Sequence, residues 1–393
     1  MTERPADVVI VGAGCMGAAT AYHLLEAQPK LRVSVLDRDL TLRRSSTLLS
    51  DGNVRIQFNL EENIAISRYA MEVLETFGED MAVGDHRPEV AMKKQGNLFL
   101  VDPAGELPAR SGLERQLAMG CDVEWLDMAE ITRRFPPLRS HRLIGGTFGP
   151  HDGSVDPSAV TNGYRRAAES RGAVFEAAEV SVPAIEGERV RGVRLTDGTL
   201  RQADTVVVCA GAWSADLLAS VGVDIPVVPV MRTVYVVGSD VARDVVLPSV
   251  FLPSGLYVIP EHDDRFLVAW SLPDDPVGFD FTPAERSRFY EVIWPELVDY
   301  LPAFDRLEVV SSWAGLYAQN TLDANAIVGE WPSISGLYQA TGFSGHGFQQ
   351  CHAVGRYLAG VITGEEPFLD LSRLGPERLL TLQPVLEHAG RII

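Results

Sequence analysis

The chain begins, after a short polar stretch, with a run of apolar and β-branched positions from Asp7 to Val11, halted by Gly12. A run that stays apolar on both alternations predicts a strand buried on both faces. Small and apolar positions at Ala18, Ala19, Ala21, Leu24 and Leu25 then recur at helical spacing and predict a helix from Met16 to Ala27. Leu31 to Leu36 predicts a second strand ending at Asp37. Together they make a βαβ unit, which implies a parallel sheet.

A polar, Ser/Thr-rich loop is expected from Arg43 to Leu60, then a helix from Glu61 to Phe77. Between Arg87 and Gly149 the pattern mixes a strand (Gly96 to Val101) with short helices and a loop at Pro136-Pro137. Asp152-Gly153-Ser154-Val155-Asp156-Pro157 opens a helix reaching Arg171, with Pro157 suited to the first turn. Asp197-Gly198 signals a hairpin, and Thr205 to Cys209 a buried strand. The stretch from Val223 to Leu307 alternates and is proline-rich. It predicts strands at Thr233–Val237, Leu256–Ile259 and Phe266–Trp270, in an antiparallel sheet with one exposed face. From Ser311 the strand–loop–helix pattern returns, with a strand at Tyr338–Thr341, a glycine loop and a helix from Gln349 to Gly360. The expected fold class is α/β. A discontinuous Rossmann-like domain takes residues 1–86, 150–222 and 311–393, and a second α+β domain on a mostly antiparallel sheet takes 87–149 and 223–310.

Composition narrows the functional classes. With 46% hydrophobic and 22% charged residues the chain is an ordinary globular one. No apolar run approaches the roughly 20 residues that span a bilayer. Residues 1–7 lack the apolar centre of a secretory signal, so a cytoplasmic protein is expected. The net charge of −19 argues against nucleic acid or an anionic membrane as partner, while a local basic pocket could still take an anionic substrate. Cys15, Cys121, Cys209 and Cys351 show no metal or redox spacing and are expected as buried small hydrophobes. No metal site is expected. Lysine occurs only at positions 30, 93 and 94, which limits where a catalytic lysine could stand.

Two glycine loops carry the chemistry. In Gly12-Ala13-Gly14-Cys15-Met16-Gly17, Gly12 allows the tight turn, Gly14 lets backbone approach a pyrophosphate, and Gly17 packs helix on strand. Asp37, ending the second strand, is placed to accept from ribose hydroxyls. This pattern alone does not separate FAD from NAD. The second loop, Gly342-Phe343-Ser344-Gly345-His346-Gly347, again precedes a helix N-terminus. That suits the pyrimidine edge of a flavin, where negative charge develops on reduction, and favours FAD. A nucleophile elbow would need glycine where His346 stands, so a hydrolase is rejected.

These segments, with Ser45-Ser46-Thr47 through Arg55, the Asp152–Pro157 motif, Val207 to Trp213 and the Thr341–Phe348 loop, occur in the order seen in the D-amino-acid oxidase superfamily of flavoproteins. The chain resembles the branch containing sarcosine oxidase, glycine oxidase and dimethylglycine dehydrogenase. Ser50 to Phe58 and Asn320 to Asn325 are similar to flavoproteins linked to mitochondrial complex I assembly. The resemblance implies an FAD-dependent oxidoreductase that oxidises the C–N bond of an amino acid or a secondary or N-methylated amine by hydride transfer to flavin N5. Oxygen or another electron acceptor would reoxidise it. Oxidation of a 2-hydroxy acid, and a slowly turning-over assembly factor, are the alternatives. The FAD contacts it implies are Gly12, Gly14, Cys15, Met16, Gly17, Asp37, Arg38, Ser45, Ser46, Thr47, Val180, Ala210, Gly211, Trp213, Gly315, Gly342, Phe343, Ser344, Gly345, His346, Gly347 and Phe348.

For the substrate, Arg55 is the first choice, because a guanidinium matches a carboxylate bidentately; the alternative is a structural arginine. Tyr257 and Tyr317 are expected to line the cavity or pack in its wall. His346 is either a base or a loop histidine used for its backbone, and His23 and His352 are packing or surface residues. Four departures from the resemblance matter. No cysteine stands near Gly315-Leu316 and no histidine near Leu48-Leu49, so FAD is expected to be non-covalent. No lysine stands near Leu267-Val268, which puts fast reaction with oxygen in doubt. Gln349 replaces a carboxylate-binding lysine, which puts simple N-methylglycine in doubt.

Overall fold

The computed structural model describes residues 6–242, 244–262 and 264–387. Residues 1–5, part of the stretch read for a leader, lie outside them.

The βαβ unit forms as its pattern predicts: β1 (Ala6–Val11), α1 (Cys15–Ala27) and β2 (Val33–Asp37). β1 pairs in parallel with β2 on one side and with the Leu200–Val208 strand on the other. The sheet continues in parallel to Val174–Ala177 beyond β2 and to Leu337–Thr341 beyond Leu200–Val208, and ends on an antiparallel edge strand, Ile327–Glu330. α1 is buried nearly all round, which its lack of a polar face requires. It crosses the C-terminal helix Gly347–Thr363 at Gly355, where a Cβ would come within 2.9 Å of the Ala19 carbonyl carbon. Tyr22, Phe77, Tyr164 and His352 pack in the same core, with the Tyr164 hydroxyl 2.8 Å from His352 Nδ1. His23 is buried against the same rings, so both helical histidines are packing residues.

The second sheet has eight strands, in the order Glu308–Asn320, Val227–Gly238, Arg265–Ala269, Tyr257–Pro260, Ser249–Phe251, Asn97–Val101, Gly145–Gly149 and Glu124–Asp127. Every pairing is antiparallel except Ser249–Phe251 with Asn97–Val101. Two expectations are corrected. The boundary drawn at residue 311 falls inside Glu308–Asn320, a strand that pairs along its length with Val227–Gly238 in this sheet. The exposed face is also absent. One face packs on Phe289, Ile293, Leu297 and Phe304, and the other turns Val234, Tyr257 and Tyr317 toward an internal cleft. The alternation was read as solvent against core, but the second face holds its own buried cluster, with Val234, Phe251, Ile259 and Leu267, and borders the cleft.

The Ser50–Phe58 loop is tied to the Asp152–Pro157 motif by a two-residue antiparallel pairing, Asn53–Val54 with Gly153–Ser154. The close approach explains the motif's glycine: a Cβ at Gly153 would lie 1.8 Å from the Lys93 carbonyl oxygen. Asp156 caps the following helix by accepting from Ser158 N–H at 2.8 Å, with Pro157 at the first helical position. Asn320 to Asn325 is also structural. Arg378 Nε donates to Asp323 Oδ2 at 2.8 Å, and Asn63 Nδ2 donates to Asn325 Oδ1 at 2.7 Å, all four side chains being buried. Among the described residues no helix is long and apolar enough to cross a membrane, and no group of three or more His, Cys, Asp or Glu side chains is placed to hold a metal.

Candidate active site

Between the two sheets runs a cleft of about 1080 Å³. That is at the upper end of the range for small-molecule sites and suits a dinucleotide-sized ligand. Its walls come from segments far apart in sequence: the first glycine loop, residues 36–51, 178–181, 209–217, the inner face of the second sheet, and the second glycine loop.

The first loop is built for close approach. Gly12 has φ +107°, and a Cβ there would lie 2.3 Å from the Cys209 carbonyl oxygen. A Cβ at Gly17 would lie 1.9 Å from the Gly12 oxygen, so Gly17 lets α1 seat against its own turn. Gly14, the N-cap of α1, has no side chain with which to cap it, so the helix end is left for an anion. Asp37 braces this loop: Oδ2 accepts from Ala13 N–H at 2.8 Å and Oδ1 from Asp39 N–H at 3.0 Å. Each oxygen keeps further acceptor capacity, and Asp37 lines the cleft. Thr47 Oγ1 reaches Cys15, accepting weakly from its N–H at 3.4 Å, and Ser46 Oγ donates to the Leu316 carbonyl at 2.6 Å.

The second loop ends on His346, the N-cap of the C-terminal helix, again with no side-chain cap. Ser344 sits at φ +48°, a strained conformation for a non-glycine residue. Its N–H donates to Ala318 O at 3.0 Å, and its Oγ accepts from Asn320 N–H at 2.9 Å. These bonds fix the loop to the second sheet. Gly345 lies against the Tyr317 ring, where a Cβ would come within 2.7 Å of Cε2.

Of the expected FAD contacts, Gly12, Gly14, Cys15, Met16, Asp37, Arg38, Ser45, Ser46, Thr47, Val180, Ala210, Gly211, Trp213, Gly315, Phe343, Ser344, Gly345, Gly347 and Phe348 all line the cleft. Gly17, Gly342 and His346 stand behind its wall. Arg38 lies over the Trp213 ring at 4.1 Å, and Trp213 stacks on Phe279. All four cysteines are free; Cys121 and Cys351 sit in the core, whereas Cys15 and Cys209 also line the cleft.

The substrate candidates divide. Tyr257 and Tyr317 line the cleft. Burial, then the charge of Asp51, holds the Tyr317 phenol up at about 12 and raises Tyr257 well above its ordinary value. Arg55 is not in the lining. Its guanidinium is buried among Phe58, Phe99 and Phe251 at 4.7, 5.5 and 5.8 Å, and that burial depresses its pKa. His346 packs edge-on to Phe58, and burial with the neighbouring Arg55 charge pushes it down to about 3, so its imidazole is neutral at physiological pH. Gln349 does not reach the cleft. Its Oε1 accepts from Arg55 N–H at 2.8 Å, and its Nε2 donates to Arg55 O at 3.2 Å and to Ser67 Oγ at 2.9 Å.

Among the lining residues that sequence reasoning missed are Arg232 and Asp51. Arg232 lies opposite Gly315 in the strand register, 5.3 Å over the Tyr317 ring, and is ion-paired with Asp275. Its signal was the alternation that also places Val234 on the cleft face. Asp51 stands in the Ser50–Phe58 stretch, where no local pattern signals that it faces the cavity.

Comparison with known proteins accounts for this arrangement. Residues 7–361 match the DAO family, described as FAD dependent oxidoreductase. The chain is 32% identical over 420 residues to FAD-dependent oxidoreductase domain-containing protein 1 of Xenopus laevis, covering 98% of this chain and 84% of that one. It is 32% identical over 401 residues to glycine oxidase of Pseudomonas aeruginosa, covering 96% and 99%. In structure it is similar to L-proline dehydrogenase from P. horikoshii, with a TM-score of 0.85 at 25% identity, covering 97% and 100%. The bracing of both glycine loops fits FAD, and the chain belongs to the DAO family of FAD-dependent oxidoreductases.

Proposed function

We propose that this oxidoreductase oxidises the C–N bond of a small amine that carries a carboxylate, an α-amino acid or an N-substituted one. The observation that carries the reading is a single cleft lined both by two uncapped helix N-termini and by a sheet face bearing Arg232, Tyr257 and Tyr317. The similarity to proteins named for glycine and for proline supports the substrate class.

FAD, when bound, supplies the hydride acceptor at N5. Gly12, Gly14 and the N-terminus of α1 would hold its pyrophosphate, Asp37 its ribose, and the N-terminus of the Gly347–Thr363 helix its pyrimidine edge. Gly315, Leu316 and Leu49 line the cleft and offer no nucleophile where covalent attachment was considered, so the flavin is held non-covalently. Tyr257 and Tyr317 stay protonated through the physiological range and act as hydrogen-bond donors to a substrate carboxylate or carbonyl. Arg232 supplies positive charge in the lining, while Arg55 adds field from behind the wall. The buried apolar side chains of Leu267 and Val268 stand where an oxygen-activating lysine was considered, which favours an acceptor other than oxygen.

The test is the visible spectrum of the holoprotein during anaerobic addition of amino acids and secondary amines. Bleaching of the flavin bands by an amine is the expected result, with slow return of colour on admitting air. A flavin bleached only by 2-hydroxy acids, or by neither class, overturns the reading.

A further inference from the structure

Asp51 is an acidic group in the cleft that is not among the expected cofactor contacts. It lines the cleft and is half-buried. Its Oδ1 accepts from Asn53 N–H at 3.0 Å, which fixes the side chain in a tight turn. Among the described residues it makes no ion pair. Of the cations around the sheet face, Arg232 pairs with Asp275, which also takes Arg288, and Arg55, which feels the Asp51 charge from behind the wall, is sunk among three aromatic rings. The hydroxyls facing the same space are those of Tyr257 and Tyr317. The Asp51 charge helps to raise both phenols, and the Tyr257 hydroxyl also hydrogen-bonds to Asp51, which leaves Tyr317 the freer donor of the two. A half-buried carboxylate outside any ion pair, in the same cleft as the Tyr317 hydroxyl and Arg232, matches a zwitterion: an acceptor for the positive nitrogen and donors for the negative end.

Resting on the amine-oxidoreductase reading above, we infer that Asp51 anchors the cationic nitrogen of the substrate and so makes the site select amines over the 2-hydroxy acids of the same shape. A neutral hydroxyl gains only an ordinary hydrogen bond from that carboxylate, whereas an ammonium or secondary ammonium gains a charge-assisted one.

Asp51→Asn tests this on the holoprotein. The asparagine keeps the oxygen that accepts from Asn53 N–H and nearly the same volume, so the turn is retained. The measurement is equilibrium titration of the flavin spectrum, without oxygen, by matched pairs: glycine against glycolate, and proline against tetrahydrofuran-2-carboxylate. Ligands that reduce the flavin are titrated on the protein already reduced with dithionite. The expected result is that Asp51→Asn weakens the amines roughly ten- to a hundredfold and leaves the oxygen analogues unchanged or tighter. Equal weakening of both members of each pair, or no change in either, overturns the anchor. The two readings fail separately. If amines bind the wild type without reducing the flavin and Asp51→Asn still discriminates, catalysis falls and the anchor stands. If amines reduce both proteins with equal affinity, the anchor falls and catalysis stands. A wild type whose spectrum no amine perturbs overturns both.

Discussion

Tyr317 and Tyr257 donate best to an anion while protonated, and burial keeps them so. Tyr317→Phe is expected to weaken a carboxylate ligand by about 1–2 kcal/mol, seen as a raised Kd with the flavin spectrum otherwise unchanged. Asp152 makes a second residue-scale prediction. It is buried, accepts from Ile56 N–H and Gln57 Nε2, and burial pushes its carboxyl up to about 7, partly offset by those bonds. A carboxyl with a raised folded pKa favours the native state in its protonated form. That stability is fully present below the unfolded value of 3.8 and is lost as pH rises through about 7. Asp152→Asn should therefore flatten the stability profile across this window, gaining a few kcal/mol relative to wild type toward neutral pH in urea unfolding. His346 and His352, both held down to about 3 chiefly by burial, act in the opposite sense: their stability is present above pH 6.5 and is lost as acid protonates them.

At the level of elements, the helix Gly347–Thr363 joins two parts of the machinery, because Gln349 on its first turn brackets the backbone of Arg55. Gln349→Met keeps the volume but strands a buried N–H and C=O. It should cost about 1–3 kcal/mol and loosen flavin retention, read as faster loss of FAD on dialysis. Gly355→Leu should be more damaging, since the side chain has nowhere to go against α1; little folded protein is expected on expression. The opening βαβ unit was legible in the sequence because its signals are local: an apolar strand, three spaced glycines and an acid ending the next strand all lie within residues 7–37. The strand Glu308–Asn320 was cut at the wrong place because its partner lies some eighty residues away and its glycine resembles a boundary. Arg232 and Asp51 were missed for a related reason. Which face of a strand or turn borders a cavity depends on what packs opposite, and that is decided by the fold.

For the whole molecule, the cleft is walled by both sheets, so flavin should hold them together. With FAD at a hundred times its Kd, unfolding is expected to cost about 2.7 kcal/mol more than for the apoprotein, and the thermal midpoint should rise with FAD concentration. A midpoint independent of FAD would show that the walls are complete without it. The order of chain segments around the cleft also explains why the overall family was readable but the substrate was not. The strongest cofactor signals are two contiguous glycine loops, whereas the substrate wall proposed above draws on residues 51, 232, 257 and 317, which are scattered along the chain. The Gln349 bracket has one more consequence. Because the Gln349 side chain fastens the Arg55 segment to the helix proposed to meet the flavin, altering that loop is expected to disturb cofactor and substrate together. Arg232 is tied instead to Asp275 and Tyr257 to Asp51, with no bond from either to that helix among the described residues. A laboratory evolution experiment that selects for growth on new amines should therefore collect its first useful changes on the sheet, leaving the Arg55–Gln349 clasp untouched.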